Sequence, residues 1–418
     1  MARLMDLGML LVAVVSAPIW LPRMIARGKH RTDWRARFGH APILPPPTSG
    51  RVLLHAVSVG EVGAIRDLVR DLHKRDGIEV VVASTTDTGV ARAKELFGDS
   101  ITVVRWPLDF SGAVNRFLDA IAPTVVGLVE LEVWPTMSGA CARRGINTIV
   151  VSGRLSARSA RRYGWIAPLV RPMFARVSRV AAQDDASASR FAAVGVPIDR
   201  IEVTGNMKWD SAGSPLARDD AALMLRQAMG LDQNRLLIVG GSTAPGEDEL
   251  LLRSLPDGAQ LLCAPRRPEW WDAAAATLAP CTRRSTGELV QGDHYLLDTI
   301  GDLSDAYTLA DIVVVGRSVG DLHGSDPIEP VARGAATIIG PRVTDFQDIT
   351  QLLSDGGGLV QCTAEDLPGV LAELAANPAA RATLVAAGRM VIDQQQGATA
   401  RCADLLASAC SQKSTTAA

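Results

Sequence analysis

Apolar positions along this chain follow two alternating rhythms. Short runs that are apolar throughout are each followed by a stretch in which apolar residues recur at helical spacing. Such runs are what strands buried on both faces of a parallel sheet show. In the first half they are RVLLHAV, VVVAS ending at Ser84, ITVVRW ending at Trp106, TVVGLVE ending at Glu130, NTIVVS ending at Ser152 and RVAAQ ending at Gln183. A second series begins with RLLIVGGS, Arg235 to Ser242, and continues with QLLCAPRR, HYLLDT, DIVVVGRS, ATIIG and GLVQC. Repeated βα units imply helices on both faces of a parallel sheet, so the pattern predicts an α/β protein of two Rossmann-like domains facing a cleft.

The rest of the chain divides around these series. Leu7 to Leu21 is almost wholly apolar, interrupted by Pro18 and followed by Arg23, Arg27, Lys29, Arg31, Arg35 and Arg37. A basic cluster after an apolar run predicts a membrane anchor that keeps the downstream domains in the cytoplasm, and residues 1–40 are read as that anchor and its flank. Proline-rich Pro42 to Gly50 is a linker. The first Rossmann-like domain is expected over 50–206, an interdomain linker over 207–232, the second domain over 233–385 and closing helices over 386–410. At 418 residues the length suits two or three domains, and the net charge of −2 gives no global sign of nucleic-acid binding. The six cysteines are scattered without a C-x-x-C pair or a histidine at ligand spacing, which argues against a structural metal or a disulfide framework and predicts reduced thiols.

Three stretches carry candidate chemistry. Ser58-Val59-Gly60-Glu61 lies where the first strand turns into a helix, at the end of a strand where ligands bind in open α/β sheets. Spacing alone leaves Glu61 two readings, a reacting carboxylate or an acid that stabilises a helix start, and the helix start would keep it ionised. Glu130 and Glu132 point to one side of an extended chain at the end of TVVGLVE, fit for orienting a substrate or acting as a general acid or base, or else for capping and pairing with arginine. Between Val133 and Gln183 nine arginines occur without an Asp or Glu, a candidate anion surface or a solvated face. Its few aromatics favour anionic lipid over nucleic acid. In the second series Gly316 to Gly320 follows a strand, and Asp326-Pro327-Ile328-Glu329 has the residues of a helix start, with Asp326 as N-cap. Free N–H groups there would suit a phosphate, although the spacing is neither a dinucleotide fingerprint nor a Walker loop. Arg266 and Arg267 could add charge.

In order, HAVSVGE, ELEVWP, SGRLSARS, AQDD, VTGNMKWD, GGSTAPGE, APRRPE and HGSDPIEP resemble the 3-deoxy-D-manno-octulosonic acid (Kdo) transferases of the lipid A pathway, from the anchor to about Cys402. The resemblance implies a GT-B glycosyltransferase on the cytoplasmic face of the inner membrane, moving Kdo from CMP-Kdo to a phosphorylated lipid A precursor, lipid IVA. It implies no metal and no cofactor, CMP-Kdo being a substrate. Glu61 matches the general base and Glu130 and Glu132 the acidic pair near the sugar. Ser242, Thr243, Arg266, Gly316, Ser318, Gly324, Asp326 and Glu329 fall on the stretches that hold CMP, Glu329 at the ribose. Ser58, Gly60, Arg154 and Arg158 fall on the acceptor side.

The chain departs from the family pattern in two places. Ala244 replaces the histidine of S-T-H-x-G-E, and Ser325 and Asp326 replace the histidine and asparagine of G-G-H-N-P-x-E-P. These changes open two alternatives: a GT-B transferase using another CMP- or UDP-sugar, or a non-catalytic, membrane-tethered nucleotide-sugar-binding protein.

Overall fold

The computed structural model describes residues 2–26, 31–213 and 219–411. Its chain forms two compact units, 1–211 with 396–418, and 212–395. The first holds β1 (Gly50–Ala56), β2 (Ile78–Ser84), β3 (Thr102–Arg105), β4 (Val125–Val129), β5 (Asn147–Gly153), β6 (Arg179–Ala182) and β7 (Ile201–Val203). These pair in the order β3-β2-β1-β4-β5-β6-β7. The second holds β8 (Leu237–Thr243), β9 (Gln260–Pro265), β10 (Thr282–Arg283), β11 (His294–Leu296), β12 (Ile312–Val315), β13 (Ala336–Ile339) and β14 (Val360–Gln361), in the order β10-β11-β9-β8-β12-β13-β14. Every pairing in both sheets is parallel, as the repeated βα pattern predicts.

The period of two along a strand sorts the core of the first unit. Leu53, Val81, Val126 and Leu128 point into one cluster, while Val52, Leu54, Val80, Val82 and Val125 point into the other. All residues of β1 and β4 are buried, which explains why their runs are apolar without alternation. One long polar side chain is carried inside: Arg51, 1% exposed, donates to the Ile121 carbonyl (2.5 Å), the Pro45 carbonyl (2.6 Å) and Glu79 (2.6 Å). It ties the proline-rich linker to the start of the sheet.

The closing helices expected over 386–410 fall in both units. The segment 386–410 is divided: its first part belongs to the helix Pro378–Gln395 of the second unit, and the rest to the helix Ala398–Ser411 of the first. Gly397, at φ 96°, separates the two helices. Ala398, Cys402, Ala403 and Leu406 bury against the first sheet, where Gly127 leaves them room. A Cβ on Gly127 would lie 2.6 Å from Leu54 Cδ2 and 3.2 Å from Leu406 Cδ2. The linker 207–232 is largely helical, as Met207–Gly213 and Asp219–Met229, and its residues 214–218 lie outside the described residues.

At the N-terminus the apolar run forms the helix Ala2–Ala26, with Pro18 and Pro22 inside it. Asp6 accepts from the Ser111 N–H (2.9 Å) and hydroxyl, at the start of the helix Ser111–Ile121. Leu7, Leu10, Leu11, Val14, Val15 and Ile19 are exposed. Among the described residues no helix is long and apolar enough to cross a membrane. Arg27 and Lys29 of the expected basic flank lie outside the described residues.

The C-terminal helix is fastened by a distant cap. Asp210 accepts from the Gly397 N–H (2.5 Å) and the Thr399 N–H (2.6 Å), the donors at the helix start. Asp210→Ala is expected to lower stability by about 1–2 kcal/mol, the usual cost of losing a cap. It should also speed amide exchange over 398–411, which hydrogen-exchange mass spectrometry would resolve.

Candidate active site

An open parallel sheet gathers its ligands outside the carboxyl ends of the strands, where strand order reverses. That point lies between β1 and β4 in the first sheet and between β8 and β12 in the second. Nearly all the sequence-derived site residues fall on the loops that leave these four strands and their neighbours.

In the first unit, β1 ends at Ala56 and the helix Val59–Ala64 starts with Ser58 as N-cap. The Glu61 carboxylate folds back on this turn. It accepts from the Val57 N–H (2.8 Å) and from the Ser58 hydroxyl (2.9 Å), while the Ser58 oxygen accepts from the Glu61 N–H (3.5 Å). This is a capping box shifted by one residue. The turn is braced from β2, since the Val57 carbonyl accepts from Ser84 Oγ (3.1 Å) and Thr86 Oγ1 (3.0 Å). Gly60 faces open space. Burial, the largest influence, raises the Glu61 pKa above its ordinary 4.5; the two hydrogen bonds lower it, and the charges of Glu130 and Glu132 raise it further. The expectation that the helix start would simply hold Glu61 ionised is therefore corrected: desolvation wins. An acid raised in this way stabilises the fold most below 4.5 and loses that contribution as pH rises through its folded value.

Across the switch point, Glu130 follows β4 at φ 58°, in the left-handed region, and its N–H donates to the Val151 carbonyl (3.1 Å). Glu132 accepts from the Trp134 indole (2.9 Å); burial chiefly, and Glu130 after it, raises its pKa against the effect of that bond. Sequence reasoning missed the support beneath this pair. Asp109 accepts from the N–H groups of Thr136 (2.8 Å) and Met137 (2.9 Å), capping the helix Pro135–Arg143, and burial pushes its pKa up to about 6. His55, one residue before the end of β1, stacks on Trp106 with ring centroids 3.8 Å apart, and burial lowers its pKa to about 3. It stays neutral beside the site. Arg154 follows β5, its N–H donating to the Glu130 carbonyl (3.3 Å), and Arg158 lies exposed on the helix Ala157–Trp165. Nearby Trp165 and Leu169 are 80% and 75% exposed.

In the second unit the loops after β8 and β12 cross closely. A Cβ on Gly316 would stand 2.6 Å from the Ser242 carbonyl oxygen and from Thr243 Cα, so only glycine fits. Gly324, at φ 84°, would likewise bring a Cβ within 2.9 Å of the Arg342 carbonyl oxygen. Two expected contact residues point inward instead. Thr243 is fully buried and donates to Asp248 (2.6 Å); Ser318 is fully buried, donates to the Val315 carbonyl (2.5 Å) and accepts from the Gly340 N–H (2.8 Å). Their hydroxyls belong to the scaffold. The glycine loop also differs from its expected state: the N–H groups of Arg317, Ser318 and Val319 are bound to the Glu247 carboxylate rather than open to a phosphate.

Tyr307, a residue with no sequence signal, shares a hydrogen bond with Ser242 and feels the charges of Arg266, Asp326 and Glu329. Burial raises the Tyr307 pKa most, followed by the charges of Glu329 and Asp326, while Arg266 and a hydrogen bond with Ser242 act the other way. Arg266 is exposed. The helix after this loop begins at Ile328 with Pro327 in the cap position, one residue later than expected, and Asp326 accepts from the Ile328 N–H (3.1 Å). Among the described residues no group of three or more His, Cys, Asp or Glu is placed to hold a metal ion.

Backbone conformation marks the same loops. The non-glycine residues with positive φ among those described are Ala122, Glu130, Ser152, Ser242 and Arg317. Ala122 ends a helix, and each of the others lies at the carboxyl end of β4, β5, β8 or β12. Such conformations cost of order 1–3 kcal/mol each and concentrate where function requires them.

The sequence model of the 3-deoxy-D-manno-octulosonic-acid transferase (kdotransferase) family matches residues 32–211. The 3-deoxy-D-manno-octulosonic acid transferase of Haemophilus influenzae is 34% identical over 379 residues, covering 86% of this chain and 87% of that protein. The enzyme of the same name from Bordetella pertussis is 34% identical over 413 residues, covering 93% and 95%. This chain belongs to the Kdo transferase family. Kdo transferases are glycosyltransferases, and the two doubly wound sheets are those of a GT-B enzyme. Anabaena Alr3699/HepE, solved in complex with UDP, shares the fold at a TM-score of 0.62 and 15% identity, over 86% of this chain and 100% of that one.

For this Kdo transferase, Ser318→Ala is expected to remove about 1–3 kcal/mol of stability by leaving the Gly340 N–H buried without its partner, measured by urea unfolding. Unchanged unfolding with weakened nucleotide binding would instead make Ser318 a ligand contact.

Proposed function

We propose that the chain transfers Kdo from CMP-Kdo to a hydroxyl of the phosphorylated lipid A precursor lipid IVA, in lipopolysaccharide core biosynthesis, with Glu61 as the general base. The observation that carries this reading is the Glu61 carboxylate. It lies at the switch point of the first sheet, oriented by Val57 and Ser58, with its pKa raised by burial. A base works best when its pKa lies near the operating pH, so a carboxylate lifted from its ordinary range gains proton affinity. Glu61 takes the acceptor hydroxyl's proton as that oxygen bonds to the anomeric carbon. The bond from that carbon to the CMP phosphate oxygen breaks, and the electron pair leaves with CMP. Glu130 and Glu132 flank the sugar, and Arg266 offers charge to the departing phosphate.

The family relationship supports the donor, and the arginine-rich surface supports an anionic acceptor. Arg158, Arg161 and Arg162 are exposed beside Trp165 and Leu169, a combination suited to lipid phosphates and acyl chains. The exposed apolar face of the helix Ala2–Ala26 supports attachment to the cytoplasmic face of the inner membrane by lying in its surface. A second donor is favoured by one observation: Ser325, at a position where the family pattern has histidine, is buried with an unpartnered hydroxyl.

Purified protein incubated with CMP-Kdo and lipid IVA should form the Kdo adduct, and Glu61→Ala should lower kcat by about 10²–10⁴-fold. The rate should fall on acidification as Glu61 takes up a proton, with the midpoint above 4.5. Transfer by Glu61→Ala at the wild-type rate would remove the base assignment. Calorimetric titration separates the donors: CMP should bind, and binding of UDP alone would favour the second reading.

A further inference from the structure

We propose that Glu247 is a positioning residue that builds the donor-nucleotide site by clamping its two loops together; this role rests on the reading of the second unit as the CMP-binding half. Glu247 opens the helix Glu247–Arg253 after β8, and its side chain is only 6% exposed. Its carboxylate receives four backbone N–H groups. Ala244 (2.9 Å) and Arg317 (2.6 Å) donate to Oε2, and Ser318 (3.0 Å) and Val319 (3.2 Å) donate to Oε1. One donor lies on its own loop, and three lie about seventy residues away on the loop after β12. Burying a carboxylate is tolerable only when its lone pairs are met in this way.

The three remote donors are successive, and they converge because Arg317 holds φ at 60°. Successive N–H groups in such a turn form an anion-binding concavity. Here the anion is supplied by the protein itself. The clamp therefore fixes Arg317 in its left-handed conformation and sets the crossing of Gly316 over Ser242, the residue that meets the Tyr307 hydroxyl beside Arg266, Asp326 and Glu329. The glycine loop acts as a frame for the nucleotide site, with its amides directed away from the donor phosphate.

Geometry limits what can replace Glu247. Glutamine keeps one acceptor oxygen but turns an NH₂ toward N–H donors, and aspartate is one methylene too short to reach both loops. Glu247→Gln and Glu247→Asp should each raise the Kd for CMP and the KM for CMP-Kdo by about tenfold to a hundredfold, the range for losing a partner behind a binding group. The KM for lipid IVA should stay within about twofold of wild type, since Glu61 and its turn are untouched. Hydrogen-exchange mass spectrometry of the full-length variants should show lost protection at 316–319 with the first sheet unchanged.

If 316–319 lose protection while CMP binds with wild-type affinity, the positioning role is overturned. If protection persists, the clamp itself is overturned. Should a variant unfold, Val319→Pro tests the same contact from the other loop, removing one donor at a residue outside the left-handed region while keeping Glu247, and it should weaken CMP binding likewise; wild-type affinity there would also overturn the proposal. Wild-type protein that fails to bind CMP would sink the donor assignment itself, a result separate from the exchange readout.

Discussion

Carboxylates gripped by backbone N–H groups hold both halves of this protein at the places where its chemistry is concentrated. Each parallel sheet reverses its strand order once, between β1 and β4 and between β8 and β12, and the loops there must leave the sheet in opposite directions. Loops in that position carry more polar backbone than the sheet can satisfy. In the first unit the Val57 N–H is met by Glu61, and in the second the N–H groups of Arg317, Ser318 and Val319 are met by Glu247. Asp109 does the same for Thr136 and Met137 beneath Glu130 and Glu132.

The number of donors decides what each carboxylate can do. Glu247 has four N–H partners around two oxygens and almost no exposure, so its lone pairs are filled and it serves as a clamp. Glu61 has one N–H and one hydroxyl, two neighbouring acids, and a partly buried position. Those partners orient it without saturating it, and burial raises its affinity for a proton. One kind of interaction yields a saturated carboxylate in one unit and an unsaturated one in the other, through a difference in count, and the proposed base is the unsaturated one.

Local features of the sequence carried most of this organisation, and long-range pairings did not. The apolar runs located six strands in each sheet, most plainly where every residue is buried, as in β1, β4, β12 and β13; β7, Ile-Glu-Val, and β10, Thr-Arg, escaped because neither contains an unbroken apolar run. The turn at Glu61 was legible because the apolar run of β1 gives way there to apolar residues at helical spacing. The Glu247 clamp spans about seventy residues, the Asp109 cap 27 and the Asp210 cap 187, distances over which no spacing rule operates. Thr243 and Ser318 were legible as loop residues, yet which way their hydroxyls turn depends on Asp248, Val315 and Gly340. The closing helices over 386–410 were legible as helices, but an apolar helix face gives no address. The address is Gly127, the gap in β4 that accepts Leu406.

The most direct test of Glu61 as a tuned base is a carbon-detected NMR titration of its carboxyl in wild type and in the Glu130→Gln, Glu132→Gln double variant. Desolvation and two neighbouring acids predict a midpoint above 4.5 in wild type that moves down when those acids are neutralised. A midpoint at or below 4.5 in wild type, unmoved in the variant, would mean that the helix start and its two hydrogen bonds control Glu61, contradicting the assignment of a tuned base.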